Sequence, residues 1–230
     1  MTSSGTYSFQ ITNGEGVLDA FERCGIGIAQ LEQKHFYTAR RQLNLMLSSE
    51  WSNKQVNLWK VELNSQLLTQ GTAAYTLPAR VVMVLDAYRS TTTAGVQTDI
   101  FMTPISRDDY AAYPSKATQA PPTQYWFDRL ITPTFTTYPV ADAGGPYTVN
   151  YYACVNVQDA NLAGGETPDV PNRWFDAMCA GLAYRLARVY ALDKMAMLKS
   201  DYQEAWTAAA TQDIENVPIR IIPKMGGYWS

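Results

Sequence analysis

Residues 131–153 read ITPTFTTYPVADAGGPYTVNYYA, and the fold turns on how this stretch is read. Thr132–Tyr138 and Tyr147–Ala153 both alternate with the two-residue period of half-buried strands. Between them Ala141–Pro146, ADAGGP, supplies the adjacent glycines of a tight turn, so the two strands are expected to form a hairpin. Working upstream, Thr123–Asp128 is a further strand, preceded by a polar loop over Lys116–Pro122. Ser106–Asp109 has the spacing of a capping box, which predicts a short helix through Tyr110–Ala112, stopped by Pro114. Asp99–Met102 and Arg80–Tyr88 are strands on either side of a polar tip, Thr91–Gly95, with Val81, Val82, Val84 and Leu85 favouring the extended chain. Gln70-Gly71 marks a turn, and before it Trp59, Val61 and Leu63 alternate with Lys60, Glu62 and Asn64, which predicts one apolar and one polar face.

Outside this block the period changes to that of helices. Val17, Leu18, Phe21 and Cys24 share one face of a helix starting at Asn13, broken by Gly25 and Gly27. A second helix is predicted over Ala29–Glu50, with Leu31, Phe36, Ala39, Leu43 and Leu47 apolar and Glu32, Lys34, Arg40 and Arg41 wet. After the Asn161–Asp169 loop, Pro171 suits the first position of a helix carrying Trp174, Met178, Leu182, Leu186, Val189 and Tyr190. Asp193 is placed to cap a last helix bearing Met195, Leu198, Tyr202 and Trp206. These stripes read as core. The expected fold is α+β: a helical bundle formed by residues 1–56 and 158–215, a β-rich insert over 57–157, and an extended tail over 216–230.

Composition excludes several function classes. The chain has 230 residues, 47% apolar and only 17% charged, which is a folded protein with less charge than average. Its 15 Tyr and 6 Trp either fill the core or serve repeated protein–protein contact. The net charge of −3 gives no basic balance for gripping nucleic acid. Cys24, Cys154 and Cys179 are far apart, and with His35 they make no zinc set, so buried thiols are expected and no metal or cofactor. The first residues lack a signal-peptide pattern, and no apolar run is long enough to span a membrane.

The sequence shows no residues spaced as a catalytic constellation. His35 is the one histidine available as a base, and it sits beside Lys34 and Phe36 on a predicted helix. Neither nucleophile-elbow, P-loop nor zinc-protease motifs occur, and the Gly14–Gly16 and Gly25–Gly27 pairs lack the third glycine of a dinucleotide site. Asp108 and Asp109 belong at a helix start, and Asp99, Asp142 and Asp159 in or near turns. No enzyme is expected.

Five segments carry a family resemblance: TLPARVVMVLDAY (76–88), TPISRDDYAAYP (103–114), APPTQYWFD (120–128), TPTFTTYPVADAGGPYTVNYYA (132–153) and DVPNRWFDAMCAGLAYRLA (169–187). In order and texture they resemble phage head-to-tail adaptors, among them tail tubular protein A and the head-completion adaptors of short-tailed phages. The resemblance spans most of the chain. It implies a virion structural protein of the tail or neck, made in the host cytoplasm. Such a protein forms a ring, of twelve copies in the family, between the portal protein and the tail nozzle or other tail proteins. The ring prolongs the channel through which double-stranded DNA is retained and ejected, without reading its sequence. The C-terminal tail would meet the portal, which singles out Pro218, Ile219, Arg220, Ile221, Ile222, Pro223, Tyr228 and Trp229. Two other classes remain open: a sugar- or peptide-binding module with Tyr125, Trp126, Tyr151 and Tyr152 as platforms, and a tail-associated hydrolase.

Overall fold

A computed structural model describes residues 3–6, 8–52, 54 and 57–213. Helices from both ends of the chain share one hydrophobic core, and the strands between them build a second, so the fold is α+β.

The helical part begins with α1 (Asn13–Arg23). Its start is fixed by a capping box absent from the expectation above: Glu15 N donates to Thr12 Oγ1 at 3.2 Å and Thr12 N to the Glu15 carboxylate at 2.7 Å. α2 (Gln33–Leu45) starts later than expected, because Ile28–Gln30 form a separate 3-10 turn, and a wider π-type turn, Met46–Trp51, continues it. Phe36, expected in the core, is exposed, whereas Ala39, Leu43, Met46 and Leu47 are buried. α4 (Phe175–Tyr190) and α5 (Met195–Gln212) complete the bundle. Pro171 precedes a 3-10 turn over Asn172–Trp174 and is not the first residue of α4. Asp193 lies inside the turn Leu192–Lys194 and does not cap α5. Of the predicted stripe, Val189 is exposed, while Trp174, Met178, Leu182 and Leu186 are fully buried.

Among the described residues the strands form one sheet of seven, in the order β1-β7-β3-β4-β5-β6-β2. They are β1 (Val61–Leu67), β2 (Ala74–Thr76), β3 (Val81–Thr93), β4 (Val96–Pro104), β5 (Gln124–Asp128), β6 (Thr134–Tyr138) and β7 (Tyr147–Val155); α3 (Arg107–Ala112) sits between β4 and β5. All pairings are antiparallel except the two-residue contact of β4 with β5.

The expected hairpin across ADAGGP is not made. β6 pairs with β5 and β2, whereas β7 pairs with β1 and β3, on the other side of the sheet. The glycines therefore serve a crossover: Asp142 accepts from Gly144 N and from the Tyr147 hydroxyl, and Val140 bridges to Gln119. The real hairpins are β5–β6 and β3–β4. The second is longer than expected, because Thr91–Thr93 stay in the ladder and the turn is only Ala94-Gly95, both with positive φ.

Candidate interaction surfaces

At the seam between the two cores lies a cluster of aromatic rings. Trp51 meets Trp174 and Trp206 edge-on at 5.4 and 5.1 Å, and Trp59, expected to begin a strand, stacks beside Trp174 at 6.0 Å. Glu50 accepts from the Tyr202 hydroxyl at 2.8 Å and pairs with Arg185 at 3.0 Å, tying α2 to α4 and α5. Burial beside that carboxylate pushes the Tyr202 hydroxyl above its ordinary pKa.

Lys60 was expected on a polar strand face. It is 1% exposed and its Nζ donates to Trp51 O at 2.5 Å. Burial holds its pKa below the ordinary lysine value, with Cys154 and Asp213 close enough to oppose that effect. Asp213 is itself buried and paired to Arg173 at 2.5 Å. The last described residue is thus anchored at this seam. The portal-contact residues Pro218, Ile219, Arg220, Ile221, Ile222, Pro223, Tyr228 and Trp229 lie outside the described residues.

A candidate interaction surface is the outer face of the sheet. On β7, Tyr147, Val149, Tyr151 and Ala153 point into the core, so Thr148, Asn150 and Tyr152 face outward. β1 is registered on β7 with Leu63 opposite Tyr152 and Leu67 opposite Thr148, which turns both leucines outward. That reverses the expected facing: Leu63 and Leu67 are exposed, and Glu62, Asn64 and Gln66 are half-buried. Tyr88 and Phe101, paired with each other, extend the same face across β3 and β4. The outer face is thus mixed: the apolar pairs Leu63–Tyr152 and Tyr88–Phe101 stand among the polar residues Ser65, Asn150, Asp86 and Ser90.

The catalytic and platform candidates take structural roles. His35 Nδ1 accepts from Glu32 N at 2.8 Å, and its ring packs on Phe21 and Tyr190. Tyr125 and Tyr151 are core residues, burial raising the Tyr125 hydroxyl to about 12. Trp126 packs against Tyr110 and the Arg107 guanidinium, and of the four only Tyr152 is exposed. The platform is not assembled. Asp109 caps α3 with Ser106 as the spacing predicts. Cys24, Cys154 and Cys179 are buried free thiols, the last pushed up to about 12 by burial. Among the described residues no group of three or more His, Cys, Asp or Glu is placed to hold a metal, and no helix is long and apolar enough to cross a membrane.

The sequence model of the SU10 adaptor protein family matches residues 33–221. The chain belongs to that family. It is a phage adaptor, a structural protein associated with the virion. No curated protein matches the adaptor's sequence. The matched region takes in α2, the whole sheet, α4 and α5, so the buried aromatic seam and the outer sheet face both belong to the adaptor fold. Sequence reasoning missed Lys60 and the outward leucines, because a strand's own alternation does not say which face its neighbour will bury.

Proposed function

We propose that this adaptor is a structural, non-catalytic ring subunit seated between the portal and the tail, of the tail tubular protein A type found in short-tailed phages. The family match over residues 33–221 carries the reading. In the ring, twelve copies prolong the DNA channel and offer a platform to the tail nozzle or another tail protein. Closure of such a ring needs heterologous contacts between two different faces of one chain. The outer sheet face with Leu63, Leu67, Phe101 and Tyr152 supplies one apolar face for contact with neighbouring proteins.

Residues 216–230 engage the portal, with Pro218–Pro223, Tyr228 and Trp229 as the contact set. The net charge of −3 suits a channel that DNA crosses without being held, since every neutralised phosphate adds grip. Native mass spectrometry of the chain, alone and mixed with its cognate portal ring, tests the reading. A subunit that joins the portal in equal copy number supports it; a chain that ignores the portal overturns it. Removal of residues 216–230 is expected to abolish portal binding, and unchanged binding would remove the tail's role.

A further inference from the structure

β1, β7, β3 and β4 form an antiparallel part of the sheet, and both of its edges are open among the described residues. β1 has β7 on one side and no strand on the other. β4 has β3 on one side, and on the other β5 joins it only at Thr103 and Pro104. Every residue from Val96 to Phe101 is exposed, on both faces of the strand. Proteins ordinarily blunt such edges with lysine, proline or a bulge. Val61–Leu67 and Val96–Thr103 contain neither Lys nor Pro, and the registers of β1 on β7 and of β3 on β4 are unbroken. Their charges are drawn aside, Glu62 to Arg80 and Asp99 to Ser90 Oγ at 2.6 Å.

The hydrogen bonds show which backbone groups are spare. Leu68 N donates to Tyr147 O at 2.9 Å, so the groups of Gln66, Asn64 and Glu62 also point at β7, and those of Leu67, Ser65 and Leu63 point away. Thr103 N donates to Thr123 O at 2.9 Å, away from β3, so Phe101, Asp99 and Gln97 present their N–H and C=O the same way. None of these outward N–H groups of β1, nor those of Gln97, Asp99 and Phe101, has a partner among the described residues. Of the carbonyls, Leu67 O accepts from the Gln66 side chain at 2.9 Å.

Two open edges on opposite sides of one sheet can meet between copies. β1 and β3 run one way, β7 and β4 the other. A second copy set beside the first in the same orientation therefore brings its β4 antiparallel to the first copy's β1, with the outer faces level. The register that sets Leu63 opposite Phe101 also sets Ser65 opposite Asp99 and Leu67 opposite Gln97, so spare groups meet spare groups. It joins the two apolar pairs of the mixed outer face, Tyr88–Phe101 of one copy and Leu63–Tyr152 of the next, into one row. Leu63 and Phe101 are 53% and 61% exposed in the single chain, and this contact covers both.

We propose that β1 of each subunit pairs antiparallel with β4 of its neighbour, through Leu63–Leu67 and Gln97–Phe101, so that the sheet runs from copy to copy around the ring. This rests on the ring reading above and supplies the heterologous contact that a ring requires.

The test uses the full chain assembled on its portal, with copy number read by native mass spectrometry across subunit concentration. Urea midpoints of the free variants check folding. Ser65→Pro removes the central N–H of the β1 edge and is expected to raise the concentration for half-assembly about tenfold. Ser65→Ala keeps that N–H and is expected to stay within about threefold of wild type. Where Ser65→Pro lowers the urea midpoint, L67C/Q97C decides alone: opposed residues in such a ladder have Cα atoms about 5.5 Å apart, within disulfide range. The native cysteines are buried, so oxidation of the assembled ring with diamide is expected to give a ladder of covalent oligomers on a denaturing gel. L67C or Q97C alone is expected to give none. Rings of L67C/Q97C that run as monomers, or a well-folded Ser65→Pro variant that assembles like wild type, overturn the strand pairing while the ring stands. A wild-type chain that forms no ring overturns the ring reading, and the pairing with it.

Discussion

α4 and β1 bury their side chains by opposite rules. In α4 the large residues Met178, Leu182 and Leu186 recur at four-residue spacing, and Ala177, Ala180, Ala183 and Ala187 fill the positions between them. The helix is enclosed by α1, α2 and α5, so its own period decides what is core. In β1 the apolar residues stand outside. β7 already fills the core with Val149, Tyr151 and Ala153, and the register of β1 on β7 places Gln66, Asn64 and Glu62 beside them. A helix wrapped by neighbours carries its orientation in its sequence; an edge strand takes its orientation from the strand it joins.

The strongest way to break this comparison is in the helical core. Trp174 is fully buried against Trp51, Trp59 and Trp206. Trp174→Ala is expected to cost about 3–5 kcal/mol in urea unfolding, through lost contacts and the cavity left behind. A loss under about 1 kcal/mol would mean that the cluster does not hold the bundle.

Next in size is Gly181→Ala. Alanine is the better helix former by about 1 kcal/mol, but a Cβ here would sit 2.7 Å from Met46 Sδ and 2.8 Å from the Tyr202 ring. Overpacking wins, and a net loss of about 1–2 kcal/mol is expected. A stabilised variant would show that α4 has room against α2 and α5.

Lys60 tests the seam through pH. Its folded pKa is lowered by burial, so the unfolded chain holds this proton at higher pH than the folded one. Stability should therefore rise with pH between that lowered value and about 10.4, the ordinary lysine value, and not change from this cause below both. Lys60→Met removes the dependence. The wild-type-minus-variant difference in urea stability should climb between pH 8 and 10; a flat difference would mean that the ammonium is solvated.

The smallest expected effect sharpens the other side of the comparison. Leu63→Lys with Leu67→Lys should change stability by less than about 0.5 kcal/mol, since both side chains are exposed. Assembly with the portal or with neighbouring subunits should weaken. A stability loss as large as that of Gly181→Ala would place these leucines in the core.

Legibility followed the range of the interactions. The Ser106–Asp109 capping box and the buried positions of α4 were readable because their partners lie within four residues. The ADAGGP stretch has the local chemistry of a hairpin turn, and the same chemistry is equally suited to a crossover. β2, only three residues long, carries no periodic signal. Of the interaction surface, the family texture was visible in five segments, while the outward turn of Leu63 and Leu67 depends on the register of β1 on β7, some 90 residues away, and left no local mark.

The sequence alone determined that helices lie towards both ends of this chain with strands between them, and that its three cysteines are too far apart for a C-x-x-C pair. The first follows from side-chain period and the second from cysteine count and spacing. Only the tertiary structure decided that β7 lies between β1 and β3, that β1 shows its leucines to the outside, and that Lys60 is sealed at the seam. The reason is physical: which face of a strand is buried, and whether a lysine stem is covered, depends on what packs across it, and that neighbour comes from a distant part of the chain.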